Sequence, residues 1–485
     1  MTVKLRRLFQ MGILVLFFYL LAVTTFPLDY PLLANSFLRL SPLNFLLIWI
    51  SKGKIPSDFL LPVLVVVSAI LLGRFFCGWI CPMGTSLDIG EKALLTNRNS
   101  KKEWNLASLK YWILAAALFT SLFGVSLLYL GEPISLIMRI SILSFFPPLV
   151  WLWQALQGIF PSLMGLNLVP TAGIHFRFSL FFLALFLLIV VLGRLQSRFW
   201  CRNLCPMGAL FAILGRFSLN RREVSDECGE CGLCIENCKM GAIRDEPKRT
   251  SFQECIHCRR CEEICPQGAV KFSWRRLSPV RDPKSSVSFP RRELFGALAA
   301  SAAWPLFAKT DFNAKVPHPK LIRPPASLPE EQFVSLCTRC GECMKVCVTN
   351  GLQPCILEGG WRSLWTPRLI PALGYCEETC NFCGKVCPTG AIQPFTIAEK
   401  KKIFMGLAVI DRSRCIAWNR GETCLICDEH CSYKAVFWKK MEGAGKPFVD
   451  PKKCVGCGIC ETRCPIRPGA AIAVYSQGEK RERRG

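Results

Sequence analysis

Histidine is scarce in this chain, and acid is short against base. Its 485 residues include 4 histidines (His175, His257, His318 and His430) and 35 Asp and Glu against 60 Lys and Arg. Only His175 borders an apolar segment of membrane length, so a pair of b-type haems, which draws several axial ligands from inside a helix bundle, is excluded. The chain has no GxGxxG fingerprint and no P-loop, which leaves nicotinamide and nucleoside triphosphate sites without support. No catalytic triad or paired carboxylate stands out either. Charged residues amount to 20%, too many for a pure membrane bundle, while 51% hydrophobic residues and a mean hydropathy of +0.31 are too apolar for a soluble domain. A membrane part and a water-exposed part are therefore both expected.

Cysteine is present in excess, at 29 residues. Disulfide scaffolds are short and secreted, and this chain is neither. Twenty-four of the cysteines fall into six groups of four. Cys228, Cys231, Cys234 and Cys238 form the first, and Cys255, Cys258, Cys261 and Cys265 the second, both spaced C-x2-C-x2-C-x3-C. That spacing is the ferredoxin signature, in which three cysteines serve one [4Fe–4S] cluster and the fourth serves its neighbour. Cys228, Cys231, Cys234 and Cys265 are thus expected to hold one cluster, and Cys255, Cys258, Cys261 and Cys238 the other. Four further groups follow: Cys337/Cys340/Cys343/Cys347, Cys376/Cys380/Cys383/Cys387, Cys415/Cys424/Cys427/Cys431 and Cys454/Cys457/Cys460/Cys464. Proline follows the last cysteine of every second group, as duplicated two-group units would leave it. Structural zinc sites use two C-x2-C pairs parted by a longer loop, a different pattern. Six oxidised clusters would carry roughly −12 of charge with their thiolates. That offsets much of the +25 formal charge and removes the case for nucleic acid.

Long apolar runs occupy residues 8–27, 59–76, 109–130 and 176–192, each near the length that crosses a hydrocarbon core. Basic residues gather before the first run, between the second and third, and after the fourth, which places both ends of a four-span bundle in the cytoplasm. Residues 133–170 are apolar but contain Pro147, Pro148 and Pro161. They read as an interfacial or re-entrant segment on the outer side, with a shorter counterpart at residues 43–50.

An internal repeat follows each pair of spans: Arg74-Phe-Phe-Cys77-Gly-Trp-Ile-Cys81-Pro-Met-Gly84 and Arg198-Phe-Trp-Cys201-Arg-Asn-Leu-Cys205-Pro-Met-Gly208. Two crossings separate the copies, so their four thiols share one membrane face. Cys77, Cys81, Cys201 and Cys205 are candidates either for a further metal centre or for redox thiols beside a quinone; packed structural thiols are the plainer alternative. Cys355 reads as a buried thiol. Further on, Pro290-Arg291-Arg292-Glu293-Leu294-Phe295 precedes a weakly apolar run and has the form of a twin-arginine export signal. Such a signal suits a domain that acquires its clusters in the reducing cytoplasm and crosses folded.

Residues 1–275, with Leu5-Arg-Arg-Leu-Phe-Gln10, both C-x3-C-P motifs and two ferredoxin groups, resemble the membrane-bound, ferredoxin-type quinol dehydrogenase of periplasmic nitrate reductase systems, the NapH type. Residues 290–475 resemble its exported four-cluster partner, the NapG type, through Arg291-Arg292, Arg323-Pro-Pro325, Cys337-x2-Cys340-Gly-Glu-Cys343, Met405-Gly-Leu-Ala-Val409 and Cys454-x-Gly-Cys457-Gly-x-Cys460. The resemblance implies a quinol dehydrogenase subunit in the bacterial cytoplasmic membrane. It would pass electrons from menaquinol through [4Fe–4S] clusters to a periplasmic reductase or c-type cytochrome in anaerobic respiration. It also implies nested ligation: Cys337, Cys340 and Cys343 with Cys464; Cys454, Cys457 and Cys460 with Cys347; Cys376, Cys380 and Cys383 with Cys431; Cys415, Cys424 and Cys427 with Cys387. The chain departs from the pattern in being fused and in the eight residues between Cys415 and Cys424.

The expected fold is an all-α membrane bundle of four spans, with a fifth from the twin-arginine-type segment, joined to α+β ferredoxin-like domains. The boundaries are a membrane domain (1–210), a two-cluster domain (211–275), a linker (276–289), the export segment (290–310), a four-cluster domain (311–475) and a disordered tail (476–485). Residues 211–290 are expected inside and the C-terminal domain outside. A competing function is assistance to metal-centre or oxidase maturation by reduction of metals or thiols. The long relay favours electron delivery.

Overall fold

A computed structural model of the chain describes residues 3–24, 35–52, 60–94, 106–122, 131–160, 174–274, 318–441 and 443–481. The chain forms two compact units, each discontinuous in sequence: one combines residues 1–21, 36–137 and 181–305, the other residues 22–35, 138–180 and 306–485. The twin-arginine-type segment and the linker before it lie outside the described residues.

Largely in the first unit, apolar helices Val3–Val23, Leu60–Leu72, Leu109–Leu122 and Ser179–Val191 fall on the four apolar runs of the sequence. Leu60–Leu72 and Ser179–Val191 contain no charged residue and are apolar all round, the pattern of a helix whose outward face is not meant for water. Leu180, for example, is 81% exposed. Among the described residues, two helices are long and apolar enough to cross a membrane, Val3–Val23 and Pro133–Ile159; Leu60–Leu72 and Leu109–Leu122 are shorter. After each pair of spans the chain makes a wide turn and starts a new helix at proline, Pro82–Leu94 in one copy and Pro206–Gly215 in the other. Proline suits that first position, where no N–H is needed. The expected boundary at residue 210 falls inside the second of these helices. Two antiparallel strands, β1 (Asn220–Val224) and β2 (Val270–Trp274), then clamp the first two cysteine groups.

In the second unit, the segment expected to break at Pro147 and Pro148 is instead a continuous helical run, Pro133–Ile159. A π-helical turn, Ser141–Phe145, closed by the Phe146 N–H on the Ser141 carbonyl, sets the two prolines at the start of the next segment, Phe146–Ile159. The two prolines supply no N–H to the preceding turn, yet the helical run continues through them behind the wider π turn. The C-terminal part carries short helices and antiparallel pairs: β3 (Leu352–Pro354) with β4 (Pro367–Leu369), β5 (Leu407–Ile410) with β8 (Ile472–Tyr475), and β6 (Val436–Met441) with β7 (Ala444–Val449). The α+β ferredoxin-like expectation holds here. The tail is a correction. Residues 476–481 are docked, because the Arg481 guanidinium pairs with Glu330 at 2.6 Å and the Lys480 N–H donates to the Phe404 carbonyl at 3.0 Å.

Candidate metal centres

Four of the ferredoxin-type groups turn in the same way: a left-handed residue after the second cysteine (Gly232, Arg259, Gly341 or Gly458) reverses the chain, and a single helical turn then carries the third cysteine back over it. Gly341 (φ +93°) and Gly458 (φ +87°) take this position before Glu342–Lys345 and Ile459–Arg463, a conformation that favours glycine. In the other two groups Asn381 and Leu425 hold that place at negative φ.

In the first unit, Cys255, Cys258 and Cys261 share a cavity of about 400 Å³ with Cys238, as the spacing predicted. The Gly229 N–H donates to Gln267 Oε1 at 2.6 Å, which brings the Cys228–Cys231 loop to the segment just after Cys265.

The nested pairing of the C-terminal groups is not what the chain adopts. Cys347 lines a cavity of about 410 Å³ with Cys376, Cys380 and Cys383. Cys387 lines one of about 350 Å³ with Cys337, Cys340 and Cys343. Cys464 lines one of about 390 Å³ with Cys415, Cys424 and Cys427. Cys431 is left as electrostatic neighbour of Cys454, Cys457 and Cys460. The cause is local strand pairing. The β3–β4 hairpin returns the chain so that the Ile370 N–H reaches the Gly351 carbonyl at 2.9 Å and Cys376 comes back to Cys347. The Leu328 N–H on Ala391 O, at 3.0 Å, draws Cys387 to the first group. The β6–β7 hairpin returns Cys454 to Cys431, and β5–β8 lays Cys464 beside Cys415. Cys415, separated from Cys424 by eight residues, begins the extra turn Ile416–Asn419. Main-chain bonds join the two halves: the Cys376 N–H donates to the Cys457 carbonyl at 2.8 Å, and the Ser476 N–H to the Pro319 carbonyl at 2.7 Å.

These cavities suit iron–sulfur clusters. Main-chain N–H groups donate to thiol sulfurs at Cys238, Cys387, Cys431, Cys454 and Cys464, at 3.2 to 3.4 Å. Such donors stabilise thiolates and tune cluster potential. Burial pushes the Cys376 thiol up to about 11 and the Cys427 and Cys457 thiols to about 12, so a bare thiol there stays protonated. Deprotonation then has to be coupled to binding a positively charged iron–sulfur core. Among the described residues, no three of His, Cys, Asp and Glu close around a single ion.

The C-x3-C-P thiols converge, as the repeat predicted. Cys81 lies within electrostatic reach of Cys77 and Cys201, and Cys205 within reach of all three. The two copies are built alike. The Cys81 N–H closes on Phe76 O and the Cys205 N–H on Trp200 O, both at 2.9 Å and both five residues back. The arginine three residues before each first cysteine crosses to the other copy: Arg74 donates to Cys201 O at 3.4 Å, and Arg198 to Cys77 O at 3.1 Å. Arg74 also pairs with Glu254 at 2.6 Å, Arg198 with Asp88 at 2.6 Å, and Lys239 with Asp88 at 2.7 Å. Glu254 precedes Cys255 and Lys239 follows Cys238, so this network ties the repeat to the neighbouring cavity. The Trp79 indole donates to His257 O at 3.1 Å, and Gly78 packs on the Ile256 carbonyl. Sequence reasoning quoted both arginines in the repeat but assigned them no role; their shared offset from the cysteine was the available signal. Cys355 is fully buried beside Glu358 and belongs to none of these sites.

Cysteine quartets held in series on short loops define an iron–sulfur electron-transfer protein. A family model described as a 4Fe-4S binding domain matches residues 56–103, 174–224 and 381–402, and a second of the same description matches residues 251–271 and 447–467. The chain belongs to the ferredoxin-type proteins that include MauM and the Nap ferredoxins. It is 30% identical over 203 residues to the methylamine utilization ferredoxin-type protein MauM of Methylophilus methylotrophus, covering 39% of this chain and 86% of that protein. It is 32% identical over 160 residues to the ferredoxin-type protein NapG of Escherichia coli K12, covering 31% of this chain and 68% of the relative. Against NapF of the same organism it is 30% identical over 150 residues, covering 30% and 80%.

Proposed function

We propose that the protein is a membrane-bound electron-transfer subunit that oxidises quinol, menaquinol by resemblance, and delivers electrons to a periplasmic reductase or c-type cytochrome. Six [4Fe–4S] clusters, held by the 24 cysteines in six groups, four of which line cavities, supply one-electron carriage. The observation that carries the reading is the joining of an apolar helix to a cysteine cavity within the second unit. Gly341, in the Cys337/Cys340/Cys343/Cys387 loop, packs on the Ile142 side chain of helix Pro133–Ile159, and Arg139 donates to the Arg339 carbonyl at 2.6 Å. A relay that begins at a membrane helix suits a donor dissolved in the bilayer.

The same unit supports the proposed sidedness. Of the segments that loop charge assigns to the outer face, residues 138–160 group with the C-terminal domain. Asn350 and Gln353 donate to the His175 carbonyl at 2.7 and 2.9 Å. Four spans, a cytoplasmic two-cluster domain and a C-terminal domain exported by the Arg291–Arg292 segment complete the proposal. Relatives named for methylamine utilization and for Nap systems share the cysteine framework, so the family does not by itself select the soluble partner. The test is anaerobic titration of the purified protein with a menaquinol analogue, followed by electron paramagnetic resonance. Reduction of the clusters by quinol is expected. Clusters that dithionite reduces and quinol never does would overturn quinol as the donor.

A further inference from the structure

From the charge and geometry around the repeat, we infer that Cys77, Cys81, Cys201 and Cys205 together bind one further iron–sulfur cluster, a seventh centre lying next to the Cys255/Cys258/Cys261/Cys238 site. The inference rests on the iron–sulfur reading above and is independent of quinol as donor.

Three observations carry it. The first is charge. The ion-pair network of this region holds four buried cations, Arg6, Arg74, Lys110 and Arg198, against two carboxylates, Asp88 and Glu254. Its two partly exposed members, Lys239 and Glu91, offset each other. Among the described residues these four cations share two carboxylates, a surplus of two positive charges that is costly to bury unless a further anion lies among them. The thiols can supply that charge: Arg74 is within electrostatic reach of Cys77 and Cys205, and Arg198 of Cys201. Four neutral thiols would leave the surplus to the adjoining site alone, which Arg6 and Arg198 reach through Cys258. Four thiolates around an oxidised [4Fe–4S] core carry a net charge of about −2, which matches it.

The second observation is thiolate stabilisation at two helix starts. Cys205 caps Pro206–Gly215, its sulfur accepting from the Gly208 N–H at 3.3 Å, and the Gly84 N–H does the same for Cys81 at the head of Pro82–Leu94. Helix N-termini favour the thiolate form. The third is the cross-bracing. Each motif alone offers 2 cysteines, half a cluster's ligands, and each copy's arginine holds the other copy's main chain, so the quartet is assembled from both. The two stretches matched separately as 4Fe-4S binding segments, residues 56–103 and 174–224, would then form one site between them.

Arg198 also lies within electrostatic reach of Cys258, so one guanidinium faces both this quartet and the adjoining cavity. The C-x3-C-P quartet and the first ferredoxin pair would then form a continuous series inside one unit.

The test is iron and sulfide content with Mössbauer and electron paramagnetic resonance spectra of the anaerobically purified full chain and of a Cys77→Ala/Cys201→Ala variant. The parent should hold about 28 iron atoms and the variant about 24, with the remaining signals unchanged. Cys205→Ser keeps an oxygen ligand and the helix cap, and should shift the spectrum of one cluster only; it decides the matter if the double variant does not accumulate. A parent with about 24 iron atoms and spectra unaltered by Cys205→Ser overturns the inference while leaving the six-cluster reading intact. One zinc ion per chain, lost in the variant with no change in iron, overturns it equally. Absence of all clusters overturns the six-cluster reading instead.

Discussion

Removing two cysteines at a time tests the cavity grouping by counting. Cys347 and Cys376 line one cavity that Cys457 does not line, Cys457 being grouped with Cys431 and Cys454. If each cavity holds one cubane, Cys347→Ala/Cys376→Ala removes about four iron atoms, because both losses fall on one cluster. Cys347→Ala/Cys457→Ala removes about eight, because they fall on two. Nested ligation predicts the reverse, since it joins Cys347 to Cys457 and parts it from Cys376. Iron and sulfide per chain, with spin quantitation of the dithionite-reduced protein, read the difference. Cys355→Ser serves as control and should leave the count unchanged, its thiol being buried beside Glu358 and outside every cavity. A loss of about eight for the first pair and four for the second would refute the grouping.

Three further outcomes are expected. Glu330 is held down to about 2 by Arg323 and Arg481. A carboxylate depressed in the folded state stabilises above its unfolded value, near 4.5, and that contribution fades as pH falls through about 2. Glu330→Gln strands the buried Arg323 guanidinium and should cost about 1–3 kcal/mol at neutral pH, with the gap to the parent closing in acid; chemical denaturation across pH reads both. Gly78→Ala brings a methyl within 2.2 Å of the Ile256 carbonyl, so the motif helix must retreat from the Cys255–Cys258 loop. About 1–3 kcal/mol of stability should be lost, together with a perturbed spectrum of that cluster; an unchanged spectrum and midpoint would contradict the packing. Changing Arg291 and Arg292 to Lys should leave residues 318–481 protected from protease added to spheroplasts, whereas the parent domain is digested. Protection in both would put every cluster inside.

The sequence by itself determined the chemistry and most of the parts. Four of the six cysteine groups, Cys228–Cys238, Cys255–Cys265, Cys337–Cys347 and Cys454–Cys464, have ferredoxin spacing and specify ligands locally, because their three-cysteine loop is complete within seven residues. Apolar runs specify helices for the same reason of locality, as the helices at Val3–Val23 and Ser179–Val191 show. What only the tertiary structure decided depends on strands and helices meeting across long separations. The partner of Cys347 is chosen by the β3–β4 hairpin and that of Cys464 by the β5–β8 pair, and no spacing rule contains either choice. The helix through Pro147 and Pro148 depends on a π turn whose hydrogen bonding proline composition does not announce. Arg74 and Arg198 stand in plain view beside their cysteines. Their function as braces and as buried counter-charge exists only once two halves of a repeat, more than a hundred residues apart, fold against each other and desolvate both guanidinium groups.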